Sequence, residues 1–269
     1  MFPFAFRMFR DKLKTFVIYS LSAVGFLEMY IALFPTISQQ ASQFDQLLKT
    51  FPPEIFKAVG MDPSTLSFGN MESYLSSEYM SFLWPILAII FAISIANYIS
   101  VEEVDKGTIE TLASLPTSRT RIFMERYFTG LLILAGFCVI SLFGAIPLAM
   151  MHGADYVLGN YLTASIGSFF FIWAAYSMAT MFSVIFSEKG KATMVSGGVL
   201  ILMYVLHIIS MLNDKLVNLQ YISLLHYFNG SELLAKNVYP QYALLALGGF
   251  AVVAMLFALF WFKRRDLSV

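Results

Sequence analysis

Of 269 residues, 58% are hydrophobic and only 13% charged, and the formal net charge is zero. A soluble domain is nearer half apolar and a quarter charged, so this composition excludes one, and a neutral chain has no bulk attraction to nucleic acid. The single cysteine, Cys138, lies in an apolar run, which rules out an intramolecular disulfide and gives no basis for a metal site.

A helix crossing about 30 Å of hydrocarbon needs roughly 20 mostly apolar residues. Six stretches reach that length, at 16–37, 80–99, 127–151, 161–186, 193–212 and 242–262. Barrel strands would instead alternate in segments of about ten residues. The prediction is an all-α integral membrane protein, one domain over 1–269, with six transmembrane helices. All Lys and Arg except Lys49, Lys57, Lys215 and Lys236 fall on the side of the N-terminus. By the positive-inside rule that side, with both termini, is cytoplasmic.

Residues 1–15 pattern as an amphipathic helix. Phe2, Phe6, Phe9 and Leu13 recur at helical spacing, and Arg7, Arg10 and Lys14 share another side. This predicts an interfacial helix, with a basic tail that only sets topology as the alternative. The first span is too long for a signal-peptide core and no small-residue cleavage pattern follows Leu33, so it is expected to be a retained anchor. Glu28 is the one acid well inside a span, about 20 Å along the helix. An intramembrane carboxylate is a candidate for substrate or proton handling; the other reading is an acid near the outer interface reaching for water or a hydroxyl.

The outer loop 38–79 carries Phe44, Leu47, Leu48 and Phe51 at i, i+3, i+4 and i+7, then Pro52 and Pro53, then Ile55, Phe56 and Val59. A helical pair over the outer mouth is expected, as a cap or as part of substrate release. In the second span Pro85 predicts a kink. Ala88, Ala92 and Ala96 form a small-residue stripe for close contact with a helix of this chain or of a second copy. Asn97 should hydrogen-bond to another helix.

Residues 100–126 hold nine of the 34 formal charges. Gly107 allows a sharp turn, Thr108 can cap a short helix with Glu110 in its first turn, and Ile109, Leu112 and Ala113 share one face. Pro116 ends that helix, and Thr117 or Ser118 can cap the next, which carries Arg119, Arg121 and Arg126 into the third span. Such a helix suits docking in a groove of a soluble partner. It could equally just close two spans and lie in the headgroups.

The order Glu103, Asp105, Gly107, Thr108, Glu110, Leu112, Leu115-Pro116, Ser118-Arg119 and Arg126 resembles the inner loop of bacterial type-2 ABC transporter permeases. That family often reads E-x-E-x-G-T-x-E-x-L-x-x-x-P-x-S-R, commonly with Lys where this chain has Arg126. The C-terminal FKRRDLSV is similar to the family's usual ending. The resemblance implies a coupling helix, Gly107 through Pro116, seated in a cleft of a separate ATP-binding subunit and braced by Glu103, Arg119 and Arg126. It further implies a second permease subunit, identical or related, and ATP and magnesium on the partner rather than on this chain. The chain's own nearest sequence to a phosphate loop, KGKAT at Lys189–Thr193, lacks the upstream glycine of G-x-x-x-x-G-K-[ST].

Pro147 predicts a second kink. The outer loop 213–241 is apolar and aromatic enough for short helices at the interface. His207 and His226 lack an acid cluster and read as interface histidines rather than metal ligands. No catalytic constellation projects into a common face. The expected role is therefore that of a non-enzymatic, multi-pass transport subunit in the bacterial cytoplasmic membrane, among its lipids: an exporter permease with no sequence clue to its substrate. The rival is a membrane scaffold or immunity factor that docks a partner and moves nothing.

Overall fold

The computed structural model describes residues 3–41, 50, 52, 55, 68–107, 117–230 and 232–265. All regular secondary structure among these residues is helical, with six helical stretches long and apolar enough to cross a membrane. The expected helical pair within 38–79 lies outside the described residues.

Helix α1, Pro3–Gln39, is one uninterrupted element of 37 residues. This differs from the expected break between an interfacial helix over 1–15 and a separate span. Pro3 sits in the first turn, where its missing N–H costs nothing, and neither Gly nor Pro follows before Gly25. Nothing in the sequence stops the helix. At 1.5 Å per residue it is about 55 Å long, well beyond the hydrocarbon core. Phe4, Met8, Lys12, Ala23, Leu27 and Ile31 form its buried stripe, while Phe6, Phe9 and Leu13 are exposed.

The second span begins earlier than expected. Asn70 caps it by accepting from the Ser73 amide at 2.7 Å, and α2 runs over Met71–Leu75. A π-helical stretch follows over Ser76–Leu83, then α3 over Trp84–Asn97. Pro85 has no N–H for the Ser81 carbonyl, and the expected kink takes the form of this widened turn. After a turn, α4 covers Val101–Asp105, and Gly107 follows with φ +67°.

Ser118 caps α5, Arg119–Phe143, its hydroxyl accepting from the Arg121 amide. The helix breaks at Gly144 and resumes as α6, Ala145–His152. Pro147 explains the break, because its ring displaces the carbonyl four residues before it, that of Phe143. Next come α7, Leu158–Ile185, and α8, Lys189–Leu212. The 213–241 segment contains a 3-10 helix at Asp214–Ile222, α9 at Leu224–Tyr227 and a π-helical turn at Glu232–Lys236. Helix α10, Ala243–Arg264, completes the bundle.

The fourth span, α7, is the hub. Of its apolar stretch 67% is buried, against 17% for α8. Trp84, Phe171 and Phe228 meet beside it, with Phe171 stacked on Phe228 at 4.4 Å. The Trp84 indole donates to Ser141 Oγ at 2.8 Å, so this buried polar group is satisfied. Ala88, Ala92 and Ala96 are fully buried, so the stripe's neighbour belongs to this chain. Asn97 bonds to Thr193 on α8 at 2.8 Å.

Candidate functional site

Helix α4 presents two consecutive acids, and about 100° of rotation between neighbours sends them to different partners. Glu103 turns inward. Its Oε1 lies 2.8 Å from Nη2 of Arg126, and both side chains are buried. Arg126 also donates from Nη1 to the carbonyls of Tyr98 and Ile99 at 3.3 and 3.1 Å, and it sits over the Tyr98 ring. Three acceptors around one guanidinium are what a buried charge requires. Arg7 approaches the same carboxylate at 3.7 Å.

Glu102 faces the lysines. Lys12 of α1 lies at 2.9 Å, Lys106 at 3.0 Å and Lys189, the first residue of α8, at 3.7 Å. Burial by itself would push this carboxyl up, but the hydrogen bonds and charges of Lys12, Lys106 and Lys189 prevail and hold it down to about 2.

Further bonds tie the same end together. Tyr98 donates its hydroxyl to Asp11 at 2.7 Å. Glu125 accepts from the Phe4 amide and from Arg121. Arg119 donates to the carbonyl of Arg265 at 2.6 Å, beyond the end of α10. Arg265 in turn donates to the carbonyls of Val184 and Phe186 and to Ser187 Oγ. A cation on the last carbonyls of α7 is the favourable partner for that helix terminus.

The structure thus brings Glu103 and Arg126 into contact and places Arg119 apart from them, at the C-terminal end. Asp105 accepts from the Lys189 amide at 3.3 Å. Thr108, Ile109, Glu110, Leu112, Ala113 and Pro116 lie outside the described residues. Glu28 stands at the opposite end of the bundle, its Oε1 2.9 Å from Nε2 of His152. His207 and His226 are ring neighbours at 6.0 Å, and no group of three or more potential metal ligands occurs among the described residues.

Sequence reasoning missed Lys12, Glu102 and Arg265. Lys12 did carry a signal, since it falls on the stripe of Phe4 and Met8, and a lysine on a buried face needs an acid. The local signal for Glu102 over Glu103 is Lys106 four residues on, the i,i+4 spacing of a helical ion pair, where Glu103 has Gly107.

Residues 5–267 match the family model described as ABC-2 family transporter protein. The chain belongs to the ABC-2 family. The family match therefore bears out, over nearly the whole chain, the resemblance read from the 100–126 loop and the C-terminal ending. An ABC-2 protein is the membrane permease subunit of an ABC transporter, a transport subunit that is not itself catalytic. ABC-2 permeases typically work with an ATP-binding subunit. No curated protein matches this ABC-2 chain.

Proposed function

We propose that this permease is the membrane part of an exporter in a bacterial cytoplasmic membrane, driven by a separate ATP-binding subunit that seats on residues 107–116. The charged end faces the cytoplasm, the partner carries ATP and magnesium, and a second permease subunit completes the membrane core. The observation that supports this is the bracing on both sides of 108–116. Before it, Glu102 and Glu103 engage α1, α5 and α8 through Lys12, Arg126 and Lys189. After it, Arg119 engages the end of α10, whose Arg265 holds the end of α7. A push on the segment is passed to five of the six spans by hydrogen-bonded charge rather than by loose loop. Glu28, paired with His152, is the intramembrane residue proposed to meet a substrate or proton.

The test is copurification in mild detergent followed by reconstitution. The permease should retain an ATP-binding protein, and replacing residues 107–116 by a Gly/Ser linker should abolish both retention and stimulated ATP hydrolysis. Stimulation that survives the replacement would overturn the docking assignment. Retention of the partner in vesicles that move nothing when ATP is supplied would instead identify a scaffold.

A further inference from the structure

A groove of about 580 Å³ runs between the second and fifth spans. Its walls are apolar, with Ile86, Ile89, Ile90 and Ile93 on α3 facing Leu200 and Ile201 on α8. From Phe82 to Asn97 it covers about 22 Å of helix, more than the roughly 15 Å of one leaflet's hydrocarbon. Gly197 lies on the α8 wall, and a Cβ built there meets nothing within 4 Å.

Among the described residues the only charged side chain lining the groove, Lys189, is at one end, while Ser81 and Tyr204 add hydroxyls toward the other. At the Lys189 mouth lies Asn97, bonded to Thr193. Asn97 is 2% exposed, yet its Oδ1 has no hydrogen-bond partner. Reversing the amide would leave its nitrogen over instead, so one polar atom is unmatched in either orientation. Lys12, Lys106 and Lys189 converge on Glu102, and Asp105 accepts from the Lys189 amide, so three lysines face two carboxylates and that mouth keeps one positive charge in surplus.

We propose that this groove holds a bilayer phospholipid with an anionic headgroup, one acyl chain along the isoleucine wall and the phosphate at Lys189. An acyl chain matches the walls, a phosphate matches the lysine surplus, and headgroup hydroxyls and ester oxygens offer Asn97 both a donor and an acceptor. A second copy of the chain is the poorer match, because it carries the same surplus of lysine at that height. The assignment needs only that the chain spans a membrane, and it does not depend on the transport reading.

The full chain, exchanged from mixed phosphatidylglycerol and phosphatidylcholine vesicles into mild detergent, is examined by native mass spectrometry. Phosphatidylglycerol should be retained in preference by about fivefold, the factor one lysine contributes toward an anionic lipid surface. Lys189→Gln should remove the preference. Lys106→Gln, which also removes a lysine from Glu102 but does not line the groove, should reduce it less. Gly197→Phe and the smaller Gly197→Leu should abolish retention of either lipid while the thermal midpoint is kept. Equal retention of both lipids by the unaltered chain, equal effects of the two lysine changes, or lipid retention unaffected by either filled groove would each overturn the proposal. A dimer lost on filling Gly197, with lipid retention unchanged, would assign the groove to a second copy.

Discussion

Arg126 and Glu103 form a buried ion pair at 2.8 Å, and the same guanidinium holds the carbonyls of Tyr98 and Ile99. One side chain of the third span thereby fixes the turn that leaves the second. Removing either partner strands a charge away from water. Arg126→Met should lower unfolding stability by about 3–5 kcal/mol, read from chemical or thermal unfolding in detergent. Arg126→Lys keeps the charge but not the planar fork, and should lose less than Arg126→Met. A wild-type midpoint for Arg126→Met would refute the pair's structural weight.

Glu102 supplies a pH dependence whose sign is set by its lysines. Its folded-state carboxyl titrates at about 2, against an ordinary value of 4.5. Its contribution is therefore fully present above pH 4.5 and lost as pH falls from 4.5 toward 2. Thermal midpoints measured across that interval should drop in the native chain. In Glu102→Gln the drop should be smaller, the remainder coming from other acids.

Gly230 tests the packing at the opposite end. A Cβ there would lie 2.6 Å from the carbonyl oxygen of Met80, a backbone atom in the π-helical stretch. Backbone cannot swing aside as a flexible side chain can. Gly230→Ala should destabilise by about 1–3 kcal/mol, whereas Gly197→Ala, on an open helical face, should leave stability unchanged or raise it by up to about 1 kcal/mol. Parallel unfolding curves decide it.

Glu28 and His152 should behave differently from the buried pair. Their side chains are 42% and 28% exposed, and such a pair contributes at most about 1 kcal/mol. Glu28→Gln and His152→Gln should each leave the thermal midpoint within a degree or two of the unaltered chain. If transport is nonetheless lost in Glu28→Gln, the carboxylate acts on substrate or proton; unchanged transport would assign it to the interface.

The span count, the Pro85 and Pro147 irregularities, the Ser118 cap and the 100–126 motif were all legible in the sequence. Each is local: apolar length, a missing amide, a hydroxyl before a helix or a fixed spacing can be read without neighbours. Helix continuity through residue 15 was legible too, since no breaker stands between Pro3 and Gly25. The aromatic and basic pattern there marks a surface, not an end to hydrogen bonding.

Tertiary structure decided the rest. That Lys12 and Lys189 share Glu102, that Arg265 reaches the end of α7, and that Ala88, Ala92 and Ala96 face this chain depend on contacts across dozens of residues. In an apolar solvent the sequence alone determines which segments must be helices, because every backbone amide has to be satisfied within its own span. Which of those helices meet is set by side-chain fit and by where each buried charge finds its counter-charge, and a linear pattern does not carry that information.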